Sequence, residues 1–151
     1  MNELIFPVFW KDDQGKIDSR TFAHPFIAVE VSAPGLRKWQ SADVMIDTGL
    51  SRTSFSPGIL SLCGATAHGT VQLSGSQGAQ DFSTFRLELR FPSFPLGIIA
   101  TEGASMDHPL GNTGAGGLLG MDVLRLGRLV IDPTGDSFFS LKPPTQTRPV
   151  N

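Results

Sequence analysis

The sequence predicts a mainly-β single domain, a barrel or sandwich with one or two short helices. Three observations carry this. At 151 residues, 40% hydrophobic and 17% charged, the chain has the size and composition of one ordinary folded domain with a proper core. Its 17 glycines and 11 prolines require many turns between short elements. Between those turn signals, apolar runs of strand length recur along the chain.

Residues 4–10 form the first strand candidate, followed by the polar turn 11–16. A second strand covers 26–31 and stops at Ala33-Pro34-Gly35. Residues 43–46 make a short, mostly apolar strand that pairs with the second as a hairpin, with 34–40 as its loop. A short helix spans 56–64. Ser56 suits the capping position, Pro57 suits the first helical position because its missing N–H is not needed there, and Gly64 provides the stop. Gly58 weakens that helix.

Residues 70–73 and 82–91 are the arms of a second hairpin, joined by the small, polar tip 74–80. In the second arm Phe85, Leu87, Leu89 and Phe91 alternate with Thr84, Arg86, Glu88 and Arg90, the period of a half-buried strand. A further strand over 94–100 leads into a long polar loop, 101–114. Residues 121–126 make a second short helix closed by Gly127. A last hairpin joins 129–132 to 137–141, and the Pro/Thr-rich 143–151 is a flexible tail, leaving 1–142 as the domain.

Composition excludes several functions. Net charge is −2, and the basic residues (Arg37, Lys38, Arg86, Arg90, Arg125 and Arg128 among them) form no stripe, so no nucleic-acid partner is expected. The single Cys63 rules out an internal disulfide and a cysteine-rich zinc site, and it reads as a buried core residue. His24, His68 and His108 lack ligand spacing, so no metal and no cofactor are expected. Gly114, Gly116 and Gly117 are not followed by the Lys-Ser/Thr of a phosphate loop. The N-terminus has no basic region ahead of its short apolar run, and no run nears the roughly 18 apolar residues of a membrane span. The expectation is a soluble, cytoplasmic protein with no membrane partner.

Chemistry concentrates at Asp47-Thr48-Gly49. The apolar Val44-Met45-Ile46 precedes it and the hydroxyl-rich Ser51-Arg52-Thr53-Ser54 follows. A carboxylate carried by a buried strand onto a tight Gly turn is held rigidly, close to backbone amides. Alone the tripeptide is weakly specific, since Asp before Gly is a common turn. Roughly seventy residues later stands Gly117-Leu118-Leu119-Gly120-Met121-Asp122-Val123-Leu124. The two together, in that order, are far more specific.

This arrangement, with a glycine-bearing hairpin between its halves, resembles the retropepsin-like aspartic proteases over about 26–141. The resemblance implies a single-domain closed β-barrel acting as a homodimer. It implies that Asp47 is the catalytic aspartate and that Thr48 bonds between the two facing loops, with Gly49 completing the turn. Leu118, Leu119 and Gly120 would cross beside the catalytic loop and support it. The hairpin tip Ser74, Gly75, Ser76, Gln77 and Gly78 would be the flap that closes on a peptide or protein substrate. Aspartic proteolysis needs two carboxylates sharing one proton, because like charges about 3 Å apart cannot both ionise. Only one Asp-Thr-Gly occurs here, and proline disrupts the Asp132-Pro133-Thr134-Gly135 run. The second carboxylate is therefore Asp47 of another subunit.

The sequence departs from the family pattern in three places. Leu50 stands where Ala or Ser is usual, and either narrows the cleft or points into the core. The hairpin tip is polar, and the loop 101–114 is long. Two other classes of function stay open: a non-catalytic binding or dimerisation module of the same fold, and a β-barrel binding a small apolar ligand. Asp122 reads as structural, accepting bonds at the start of its helix. Ser51, Thr53 and Ser54 read as hydrogen-bonding supports rather than nucleophiles.

Overall fold

A computed structural model describes residues 3–17, 23–76, 78–106, 113–132 and 134–142. Eleven strands and two short helices are assigned among them, so the protein is mainly β. In the smaller sheet, β1 (Leu4–Pro7) and β10 (Gly127–Val130) flank β11 (Phe138–Leu141), both antiparallel to it. The expected terminal hairpin is thus present, with β1 added to its free side.

The first strand candidate is two strands rather than one. Pro7 has no N–H with which to extend the ladder, and the chain changes sheets at Val8, whose N–H bonds to the Ser137 carbonyl at 2.9 Å. Beyond it β2 (Phe9–Lys11) pairs with β3 (His24–Ser32) in the larger sheet. That sheet continues through β4 (Gln40–Ile46), β9 (Gly117–Leu119), β5 (Ser54–Phe55), β8 (Phe94–Ser105), β7 (Gly78–Phe91) and β6 (Ala67–Gly75), in this spatial order. On its other side β3 also pairs with β7, through Glu30–Arg90, Val31–Leu89 and Ser32–Glu88.

The other two predicted hairpins also form, β3 with β4 and β6 with β7. Within β7 the alternation holds where it matters, since Leu87, Leu89 and Phe91 are buried. Thr84 departs from it and is buried too. The long loop expected over 101–114 begins later than its composition suggests, because β8 runs to Ser105. Glu102, Gly103 and Ala104 carry little intrinsic strand preference. They are held by neighbours distant in sequence: the N–H of Ala104 bonds to Thr53 O at 2.9 Å, and that of Met106 to Phe55 O at 3.0 Å. Gly103 is required there, as a Cβ would lie 2.8 Å from Leu87 Cδ1 and 3.0 Å from Thr53 O. Residues 107–112, and the tail reading of 143–151, fall outside the described residues.

Both helices appear at the predicted places. In α1 (Pro57–Leu62) Ser56 caps the start, accepting from the Ile59 N–H, and Gly64 ends it at φ +78°. Cys63, at its end, is fully buried. The second, α2 (Met121–Leu124), follows β9 directly.

The core joins the two sheets. Phe6 from β1 stacks on Phe91 from β7 with centroids 4.0 Å apart, and Phe139 from β11 tilts against the same ring at 5.8 Å. Val29, Val44, Phe55, Leu119 and Val123 continue this cluster beneath the Asp47 turn. Each such side chain contributes on the order of 2 kcal/mol on burial. The strands that carry the turn are therefore anchored in the most buried part of the protein. Among the described residues no helix is long and apolar enough to cross a membrane.

Candidate active site

Asp47 stands at the end of β4, which buries Val44 and Ile46 on the core side. Seventy residues further on, β9 inserts between the strands on either side of the turn. It runs parallel to β4, pairing Val44–Gly117, Met45–Leu118 and Ile46–Leu119. It runs antiparallel to β5, pairing Ser54–Leu118 and Phe55–Gly117. The turn thus hangs between two strands clamped by a third.

Glycine permits this insertion at two points. A Cβ on Gly117 would overlap the Ser54 carbonyl oxygen, and one on Gly120 would lie 2.8 Å from Leu50 O. Leu119 is fully buried and its carbonyl accepts the Asp47 N–H at 3.0 Å. Leu118 is buried on the opposite face. Leu119 and Gly120 therefore lie against the Asp47 turn, and Leu118 lies between Met45 and Ser54 on the flanking strands.

Within the turn, the Gly49 N–H donates to Asp47 Oδ1 at 3.0 Å and the Leu50 N–H to the Asp47 carbonyl at 3.3 Å. The carboxylate is half-buried, whereas Thr48 and Gly49 are exposed in the single chain. The Met121 N–H then bonds to Leu50 O at 2.7 Å, tying the turn to α2.

Thr53 and Asp122 make a second tie. The Thr53 N–H and Oγ1 donate to Asp122 Oδ1 at 2.9 and 2.7 Å, and Thr101 Oγ1 donates to Oδ2 at 2.6 Å. Thr53 Oγ1 also accepts the Gly120 N–H at 3.1 Å. Asp122 is thus a structural acceptor, but for β5 and β8 rather than for its own helix start. Thr101 is a partner that sequence reading placed in a loop.

Beside the turn lies a cleft of about 470 Å³. Leu50, Ser54, Ala104, Ser105 and Met106 line it from the turn and from the chain beside it. Leu73, Gln80 and Phe82 line it from the hairpin arms, and Ser74, Gly75, Ser76 and Gly78 from the hairpin tip. The tip residues expected to form a flap therefore border a cleft, except Gln77, which lies outside the described residues. Leu50 faces the cleft and narrows it rather than joining the core cluster. No charged side chain lines the cleft among the described residues.

Sequence reading missed Ala104 and Met106 as lining, and reached Leu73 and Phe82 only as the ends of the flap hairpin. The strand registers bring them together: Leu73 pairs with Gln80, and Ala104 with both Thr84 and Ser54. Only the period-two spacing of Gln80, Phe82 and Thr84 hinted at a shared face.

Asp132 stands apart in the β10–β11 turn. The Thr134 N–H and hydroxyl donate to its Oδ1 at 2.9 and 2.8 Å and hold its carboxyl below the ordinary value. No group of three or more metal-ligating side chains occurs among the described residues.

The fold has a counterpart among solved structures. The chain is similar to a retropepsin-like aspartic protease from Rickettsia conorii, with a TM-score of 0.57 and 14% identity over 93% of this chain and 91% of that one. The EIAV protease in an inhibitor complex aligns with a TM-score of 0.49 and 16% identity, over 68% of this chain and 86% of that one. No protein-family model matches the sequence, and no curated protein matches it. The fold is retropepsin-like.

Proposed function

We propose that this protein is an aspartic endopeptidase whose active site forms when two copies bring their Asp47 carboxylates together. One observation carries the reading: in a retropepsin-like fold, Asp47 is held by the Gly49 N–H on a turn clamped by β9, beside a hairpin-bordered cleft. The exposed Thr48 and Gly49 fit a surface that a second copy covers. The circuit of pairings β3-β4-β9-β5-β8-β7 and back to β3 supports a closed barrel as the protomer. We take 1–142 as the working domain, 143–151 as its tail and the cytoplasm as its location.

In the paired state one carboxylate is ionised and the other carries the shared proton. The ionised carboxylate takes a proton from the attacking water as its oxygen bonds to the scissile carbonyl carbon. The protonated one hydrogen-bonds the carbonyl oxygen as charge develops there. Collapse breaks the C–N bond, and the departing amine takes up a proton from the dyad. The Gly49 amide fixes the carboxylate plane without reorganisation during the reaction. A substrate strand lying along the cleft would exchange backbone hydrogen bonds with its walls.

The test compares wild type with Asp47→Asn on a denatured protein library from acid to neutral pH. Cleavage by wild type, reduced at least about a thousandfold in the variant, is the expected result. Equal cleavage by both would remove the assignment. A second reading, a non-catalytic module of this fold, draws on Leu50, whose side chain takes up cleft space three residues from Asp47. It predicts no cleavage by wild type at any pH.

A further inference from the structure

Ser54 carries a hydroxyl that no described residue uses. The residue is 3% exposed, and its Oγ is buried without a hydrogen-bond partner among the described residues. Buried hydroxyls are almost always paired, so an unpaired one calls for an explanation. On β5 the side chains alternate. Thr53 reaches Asp122 and Phe55 enters the core cluster, which leaves Ser54 on the other face. Its register partners on that face are Leu118 and Ala104, and Ala104 in turn opposes Thr84. Ser54 and Ala104 both line the cleft. Ser54, whose hydroxyl is unpaired, therefore belongs to the floor of the cleft.

The surroundings narrow what could meet it. Leu50, Leu73, Phe82 and Met106 supply apolar walls, and among the described residues no charged side chain lines the cleft to neutralise an ionised guest. Of the other hydroxyls on the lining, those of Ser74 and Ser76 are exposed on the hairpin tip, and that of Ser105 belongs to a half-buried residue at the end of β8. A guest with an apolar stem and a neutral hydrogen-bonding end satisfies both parts of this lining. A hydroxyl both donates and accepts, and rotation about one bond redirects it, so either a carboxamide or another hydroxyl can pair with it.

We infer that Ser54 is a specificity-determining residue: the cleft selects peptide segments that present a neutral, hydrogen-bonding side chain (Thr, Asn or Gln) over their apolar isosteres. The inference rests on reading the cleft as a peptidase site. It adds a preference that an all-apolar cleft would not have. A site with an unpaired polar group discriminates by what remains unpaired when the wrong guest binds.

The experiment takes a peptide that wild type cleaves and makes isosteric pairs at each position flanking the scissile bond: Thr with Val, Asn with Leu, Gln with Met. At one position wild type should favour the polar member by about tenfold in kcat/KM, the value of one hydrogen bond. Ser54→Ala should bring that ratio close to one, with its thermal unfolding recorded to establish that it is folded. A wild-type ratio of one at every position would overturn the inference without any variant. So would a ratio that survives in Ser54→Ala, since another group would then make the preference. In both cases the peptidase reading stands. Absence of cleavage by wild type, matched by Asp47→Asn, would remove the peptidase reading and this inference with it.

Discussion

Thr53 and Asp122, 69 positions apart, are joined twice: the Thr53 N–H and hydroxyl both donate to one carboxylate oxygen, at 2.9 and 2.7 Å. Thr101 takes the other oxygen at 2.6 Å. One side chain on α2 thereby fixes the strand leaving the Asp47 turn and the strand beside it. Asp122→Ala leaves the Thr53 amide and two hydroxyls without their acceptor, and should cost about 3 kcal/mol. Asp122→Asn keeps one acceptor oxygen and should cost about 1 kcal/mol. Urea denaturation followed by tryptophan fluorescence measures both. Equal, negligible losses would show that the network does not hold the turn.

Gly117 has no room for a side chain, because its Cβ would overlap the Ser54 carbonyl oxygen. Gly117→Ala should push β9 out from between β4 and β5 and destabilise the protein by about 3 kcal/mol or more. Gly58→Ala is the control, since no atom lies within 4 Å of its added Cβ. There the change should be small and stabilising, by about 0.5 kcal/mol, because Ala favours a helix. Thermal unfolding of the two variants separates packing from glycine content.

Cys63 gives a pH dependence with a definite sign. Burial pushes its thiol up from the ordinary value, outweighing the backbone hydrogen bonds that pull it down. Between the ordinary value and the raised one, the unfolded chain has lost the proton that the folded chain keeps. The unfolded state then binds fewer protons, so stability falls as pH rises. The contribution is fully present below the ordinary thiol value and declines above about pH 9. Stability measured from pH 8 to 10 should fall for wild type and fall less steeply for Cys63→Ala. Parallel slopes would exclude the thiol as the cause.

Much of the site was legible because its signals are local. An apolar strand ending in Asp47-Thr48-Gly49, and a Leu118-Leu119 pair between two glycines, keep their meaning wherever they are folded. Ser56 and Gly64 likewise mark helix ends by their own backbone chemistry. What was not legible depends on distant partners. Residues 101–105 look like loop until Thr53 and Phe55 supply the hydrogen bonds that make them strand. Pro7 interrupts an apolar run that composition alone joins. The cleft was legible at its hairpin tip, but its floor of Ser54 and Ala104 exists only through the register of β5 with β8. Whether Leu50 faced the cleft or the core likewise turned on packing.

The central claim is that one Asp47 is half a site. Wild type and Asp47→Asn, mixed at fixed total concentration and allowed to exchange subunits, test it directly through the rate of peptide cleavage. If both carboxylates of a pair are needed, activity should fall as the square of the wild-type fraction. A linear fall would mean that each chain works alone, and would contradict the account.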